Sequence, residues 1–109
     1  MATNTFTSYM AKSVGTSAST LVTVGASTQT TAIGLTVANT TASQITVDVY
    51  VTRSAVDYYV VKGAAVQAGT SFVAVGGDQK LVLKTSDALK VVSNTASSAD
   101  VILSVLEIT

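Results

Sequence analysis

The chain has 109 residues, with six basic and six acidic side chains and no His, Cys, Pro or Trp. That length fits one domain, which buries about 65% of its extended surface on folding. Without Cys there is no disulfide framework or thiolate chemistry, and without His the commonest general base and transition-metal ligand are missing. Charged residues are only 11%, and the net charge is zero, so the electrostatic footprint of a nucleic-acid or anionic-membrane binder is absent. Thr (18), Ser (13), Val (18) and Ala (15) fill well over half the chain. Val and Thr are β-branched and suit a pleated surface, which predicts an all-β protein. With so few charges, either hydroxyls solvate the outside or partners cover much of it.

Residues 1–18 are mostly Thr, Ser and Ala, punctuated by Phe6, Tyr9, Met10 and Val14. They read as an extended N-terminal arm or edge strand, preceding a single sandwich domain at 19–109. Phe6, Tyr9 and Met10 are candidate anchors on a partner, and the arm is expected to matter more for assembly than for folding. The start carries no secretory signal pattern, and no apolar run reaches membrane-spanning length.

Leu21, Val22 and Val24 form a short strand closed by Gly25. Ile33, Leu35 and Val37 alternate with Gly34, Thr36 and Ala38, the period of a half-buried strand. After the turn cluster 39–43, Ile45, Val47, Val49 and Val51 face one way; Thr46, Asp48, Tyr50 and Thr52 face the other. A one-residue slip would bury Asp48, so this register is strongly specified. Asp57 to Lys62 is the next strand, with Gly63 and Gly69 bracketing a further short segment. Tyr58 and Tyr59 are adjacent, so one is expected in the core and the other outside. The outer one, with Tyr50, makes either a surface patch for a partner or sugar ring, or a cross-strand pair that stiffens the sheet.

Residues 71–75 form another strand, turned by Gly76, Gly77 and Asp78. Leu81 and Leu83 point inward from the next, with Lys80, Val82 and Lys84 outward. Ser86 and Asp87 turn into the strand from Ala88 to Val92. The final strand, Val101 to Ile108, is apolar on both faces except at Ser104 and Glu107. It is therefore central in a sandwich or covered by a neighbouring subunit. Seven to nine short strands at this spacing predict an antiparallel β-sandwich or a jelly-roll-like small barrel.

Chemistry is scarce. The acidic residues are scattered singly, and Asp78, Asp87 and Asp100 sit where Asp caps turn amides. No nucleophile elbow, S-x-x-K spacing or phosphate-cradling glycine loop is present. The expectation is a non-enzymatic protein with no catalytic residue, metal site or cofactor. Lys80, Lys84 and Lys90 are read as guards against edge-to-edge aggregation rather than as contacts to nucleic acid.

The segments 33–39, 45–49, 68–71, 76–83 (Gly76-Gly77-Asp78-Gln79-Lys80-Leu81-Val82-Leu83), 86–91 (Ser86-Asp87-Ala88-Leu89-Lys90-Val91) and 104–108 resemble small virion structural proteins of tailed bacteriophages, in the style of those from aquatic and cyanobacterial phages. The resemblance covers most of residues 20–108 and rests on strand-and-turn patterns. It implies a β-sandwich capsid decoration (cement) protein, or a neck, tail or fibre accessory protein, without enzyme activity. It would be made in a host cytoplasm and located in the virion. Its partners would be the major capsid protein or other virion proteins and further copies of itself, as a dimer or trimer, with no membrane or nucleic acid. A carbohydrate- or receptor-binding sandwich using Tyr50 and Tyr58 or Tyr59 is the alternative. Six aromatics and no Trp weigh against it.

Overall fold

The computed structural model describes residues 3–76 and 80–109 and is all β. Nine strands follow in order: β1 (Asn4–Val14), β2 (Ser19–Thr23), β3 (Gln29–Asn39), β4 (Ile45–Arg53), β5 (Val56–Val66), β6 (Ser71–Val75), β7 (Leu81–Leu83), β8 (Ala88–Ser93) and β9 (Ala99–Ile108). One sheet runs β1-β9-β3-β6, with β7 also paired to β3; the other runs β2-β8-β4-β5. Every pairing is antiparallel. Consecutive strands alternate between the sheets through the first half, and the last strand returns beside the first. This is the double Greek key of a jelly roll, with β6 and β7 sharing one strand position against β3.

The core is the space between the sheets. Ile45, Val47, Val49 and Val51 of β4 face Leu35, Val37, Val101, Leu103 and Val105 across it, and all are buried. The alternation read in β4 and β9 is the observed facing. In β3 a bulge changes it. Ala32 pairs with Val105 and Gly34 with Ser104, so Ile33 is an extra residue. Thr30 and Ala32 point inward before it, and Leu35, Val37 and Asn39 after it. Ile33 is therefore only half-buried and does not share the facing of Leu35 and Val37, because a bulge resets the two-residue period.

Strand β5 also departs from expectation. It runs through Gly63 rather than stopping there, because Gly63 takes φ +69° inside a bulge and donates its N–H to Asp48 Oδ1 at 2.7 Å. A second bulge places Val60 between the pairs Val49–Val61 and Tyr50–Tyr59.

Residues 4–14 of the expected arm lie along β9 as edge strand β1. Ser93 N–H and Ser98 N–H bond to the carbonyls of Gly15 and Val14, tying the crossing from β1 to β2 onto the β8–β9 loop. Asn39 joins the two layers. Its amide nitrogen donates to the carbonyls of Ser43 (2.8 Å) and Val66 (2.9 Å), and its Oδ1 accepts from Thr41 N and Oγ1. A buried amide with all these bonds made costs little and fixes the turn. The turn assigned to Gly76, Gly77 and Asp78 falls largely outside the described residues.

Candidate interaction surface

The register sets which side chains meet on the outside of the β1-β9-β3-β6 sheet, because directly opposed residues share a face. Phe6 opposes Leu106, Leu106 opposes Thr31, and Thr31 opposes Val82. Met10 opposes Ile102, Ile102 opposes Thr36, and Thr36 opposes Val73. Two apolar rows thus cross the sheet, each ending in Thr and Val. Between them lies a row of small residues, Ser8, Ser104 and Gly34. Phe6, Met10, Ile102, Val73 and Val82 keep between 50% and 75% of their surface exposed. Among the described strands of this sheet, charge enters the outer face only at one end, at Lys12 and Asp100. Asp100 is tied down there, its Oδ1 accepting from the Ser13 amide at 2.9 Å.

The opposite outer face has another character. Thr46, Asp48, Tyr50 and Thr52 of β4 lie beside Lys90 and Val92 of β8 and Asp57 and Tyr59 of β5. Tyr50 and Tyr59 are a cross-strand pair, ring centroids 5.1 Å apart and tilted by 40°, with Lys62 Nζ 4.4 Å from the Tyr59 ring centroid. Burial, then the carboxylates of Asp57 and Asp48 among its neighbours, pushes the Tyr50 hydroxyl above its ordinary pKa.

The six candidate contact residues therefore divide. Phe6 and Met10 stand together on the apolar face. Tyr9, between them, points to the other side of β1, packs on the core and donates to Glu107 Oε2 at 2.5 Å. That bond, with burial second, raises its pKa. Tyr50 and Tyr59 are on the opposite sheet. The expectation that one of Tyr58 and Tyr59 is core does not hold: they are 58% and 46% exposed. Tyr58 opposes the buried Val51, but the sandwich is open there. Tyr58 lines a groove of about 520 Å³ with Arg53, Tyr59, Val60, Leu81 and Val82. The guanidinium in that groove is already held by Asp87, and the Tyr59 ring by its two neighbours, so little polar chemistry remains to orient a sugar. Val82 has the outward facing expected of it; Ile102, Leu106 and Val73 are not among the candidate contacts, and the sequence signal for the first two is β9, apolar on both sides.

No family model and no curated protein sequence matches the chain. Solved structures do share its fold. A chain of the T13 particle of infectious bursal disease virus is similar over 96% of this chain, at 13% identity and TM-score 0.59. A chain of the Gx strain of that virus is similar over 99%, at 12% identity and TM-score 0.54. A Bacillus endospore appendage, a disulfide-linked pilus protein, is similar over the whole chain and 87% of its own, at 13% identity and TM-score 0.50. The chain spans only about a third of the viral chains, 30% and 32%. At such identity these likenesses show a shared β-sandwich fold and nothing beyond the fold.

Proposed function

We propose that the chain is a non-enzymatic structural protein of a virus particle, a decoration (cement) protein that lies on the head of a tailed bacteriophage and stabilises it. The observation that carries this reading is the pair of apolar rows on an almost uncharged sheet face. Exposed apolar patches of this kind, with polar residues between and around them, mark protein–protein contacts. The fold shared with chains of an icosahedral virus, and the resemblance of the strand-and-turn segments to phage virion proteins, support the same reading. The partner is the major capsid protein, with Ile102, Leu106 and Val73 at the contact. Many copies on one lattice hold by several weak contacts each, so single-copy affinity is low.

The test adds purified chain to emptied, undecorated phage heads and counts bound copies. Wild type is expected to saturate at hundreds of copies per particle, whereas six or twelve would place it in the neck or tail. Ile102→Lys and Val73→Lys should lose attachment, and Tyr59→Ala on the other face should keep it. Attachment unaffected by both lysines, or binding to a glycan array without binding to heads, overturns the reading.

A further inference from the structure

The backbone of β1 shows which of its groups are spent. Thr3 and Thr109 exchange both backbone hydrogen bonds, at 2.8 and 3.0 Å. In an antiparallel ladder such bonded pairs alternate with unbonded ones, and the register from Asn4–Ile108 to Ala11–Val101 is unbroken. Counting along it, Thr5, Thr7, Tyr9 and Ala11 direct their N–H and C=O groups at β9. Asn4, Phe6, Ser8 and Met10 direct theirs away from it, at the free edge of the sheet.

The other sheet edges among the described residues are blunted. Strand β5 carries two bulges with Lys62 at one of them; β2 and β6 have five residues each, with an extra residue at Leu21 and Ala74; β7 has three residues. Bulges, charges and shortness are the usual protections of an edge. From Asn4 to Ala11, β1 has none of them: eight residues, regular, with no charge and no Pro.

We propose that β1 pairs antiparallel with β1 of a second copy, across a two-fold axis through Ser8. A strand edge of this kind is self-complementary under such an axis. Hydrogen-bonded pairs must join residues of the outward-directed set, which restricts the register to steps of two. Placing the axis at Ser8 sets Phe6 opposite Met10 of the second copy. The two apolar rows of one molecule then run on into those of the other, from Val82, Thr31, Leu106 and Phe6 to Met10, Ile102, Thr36 and Val73 of the second copy. An axis at Thr7 sets Phe6 against Ser8 instead and interrupts both rows. The paired sheet presents one continuous apolar face to a partner, which is how the edge and the face act together.

The test uses the purified chain alone, so its failure is distinct from failure of the virion reading. Sedimentation over a concentration series is expected to show a species of twice the 11.0 kDa chain mass. Ser8→Pro removes an N–H aimed at the free edge and none bonded to β9. It should abolish the dimer and leave the melting curve nearly in place, while Thr7→Pro, which breaks the ladder to β9, should lower it. The chain has no Cys, so Ser8→Cys gives an unambiguous cross-link. Residues in a bonded pair are about 5.5 Å apart at Cα, within disulfide range. Mild oxidation should give a linked dimer from Ser8→Cys and none from Ser71→Cys. A monomer at every concentration, a dimer that survives Ser8→Pro, or no cross-link at Ser8→Cys overturns the proposal.

Discussion

The Arg53 guanidinium grips the Asp87 carboxylate with two parallel bonds, Nε to Oδ1 at 2.8 Å and Nη2 to Oδ2 at 2.5 Å. The two residues are 34 positions apart, at the end of β4 and in the turn before β8. Asp87 Oδ2 also accepts from the Lys84 amide at 2.8 Å, and the Asp87 backbone carbonyl accepts from Val24 N–H. Asp87 therefore closes a turn with its carboxylate and, through side chain and backbone together, joins three chain segments at one end of the sandwich.

That arrangement has a pH dependence of definite sign. The Arg53 bonds hold the Asp87 carboxyl below its ordinary pKa, against the upward push of burial and aided by the Lys84 amide. A carboxyl lowered on folding contributes stability above its unfolded value of about 4, and loses it as pH falls through the folded value. Wild type should lose stability below about pH 4. Asp87→Asn should melt lower at pH 7, by about 2 kcal/mol for the lost charged bonds, and show a shallower acid slope. Thermal melts from pH 2 to 7 read both; equal slopes would show that Asp87 does not carry the dependence.

Strand β4 supplies a facing test. Val47 is fully buried and Thr46 looks outward. Val47→Asp should cost about 3 kcal/mol or more, because it buries an unpaired charge, and Thr46→Asp less than about 1 kcal/mol. Urea melts giving equal costs would contradict the facing.

Thr30 is buried between Leu83 of β7 and Glu107 of β9, and its Oγ1 has no hydrogen-bond partner. An unmade buried bond costs about 1 kcal/mol or more. Thr30→Val keeps the shape and removes the hydroxyl, so the urea midpoint should rise. A fall would mean that the hydroxyl is satisfied in solution.

By sequence the arm matters more for assembly than for folding, and removing residues 2–14 would leave the melting temperature nearly unchanged. With β1 paired along β9 and Val14 buried under the β8–β9 loop, their removal should unfold the chain or lower its melting temperature by about 10 °C or more, several kcal/mol for a domain of this size. A truncated chain melting within a few degrees of wild type would show that β1 contributes only edge contacts.

Attachment to a particle through the apolar rows should hardly depend on salt. Among the described strands the face has charge only at Lys12 and Asp100, with Lys80 and Lys84 just beyond the ends of β7 at its margin, so screening has little to act on. Occupancy on undecorated heads should stay constant from about 0.05 to about 0.5 M salt, where the screening length falls from about 14 to about 4 Å. A steep loss would place the contact on the sheet that carries Lys90, Asp48 and Asp57.

What the sequence determined by itself is everything that a period of two can specify. The β-branched composition made the chain all β. Alternation in β4 set which of Val47 and Thr46 is buried, since a slip would put Asp48 in the core. Apolar residues on both sides of β9 announced a strand with one face in the core and another surface to fill. Only the tertiary structure decided the rest, because pairing joins residues far apart in the chain and a bulge belongs to two strands at once. Ile33 left the facing of Leu35 when β9 set the register of β3. Tyr58 and Tyr59 both reached solvent because β5 is a twice-bulged edge at an open margin. Arg53 found Asp87 because β8 pairs with β4, and Phe6 and Met10 joined Leu106 and Ile102 into one face because the jelly-roll strand order lays β1 against β9.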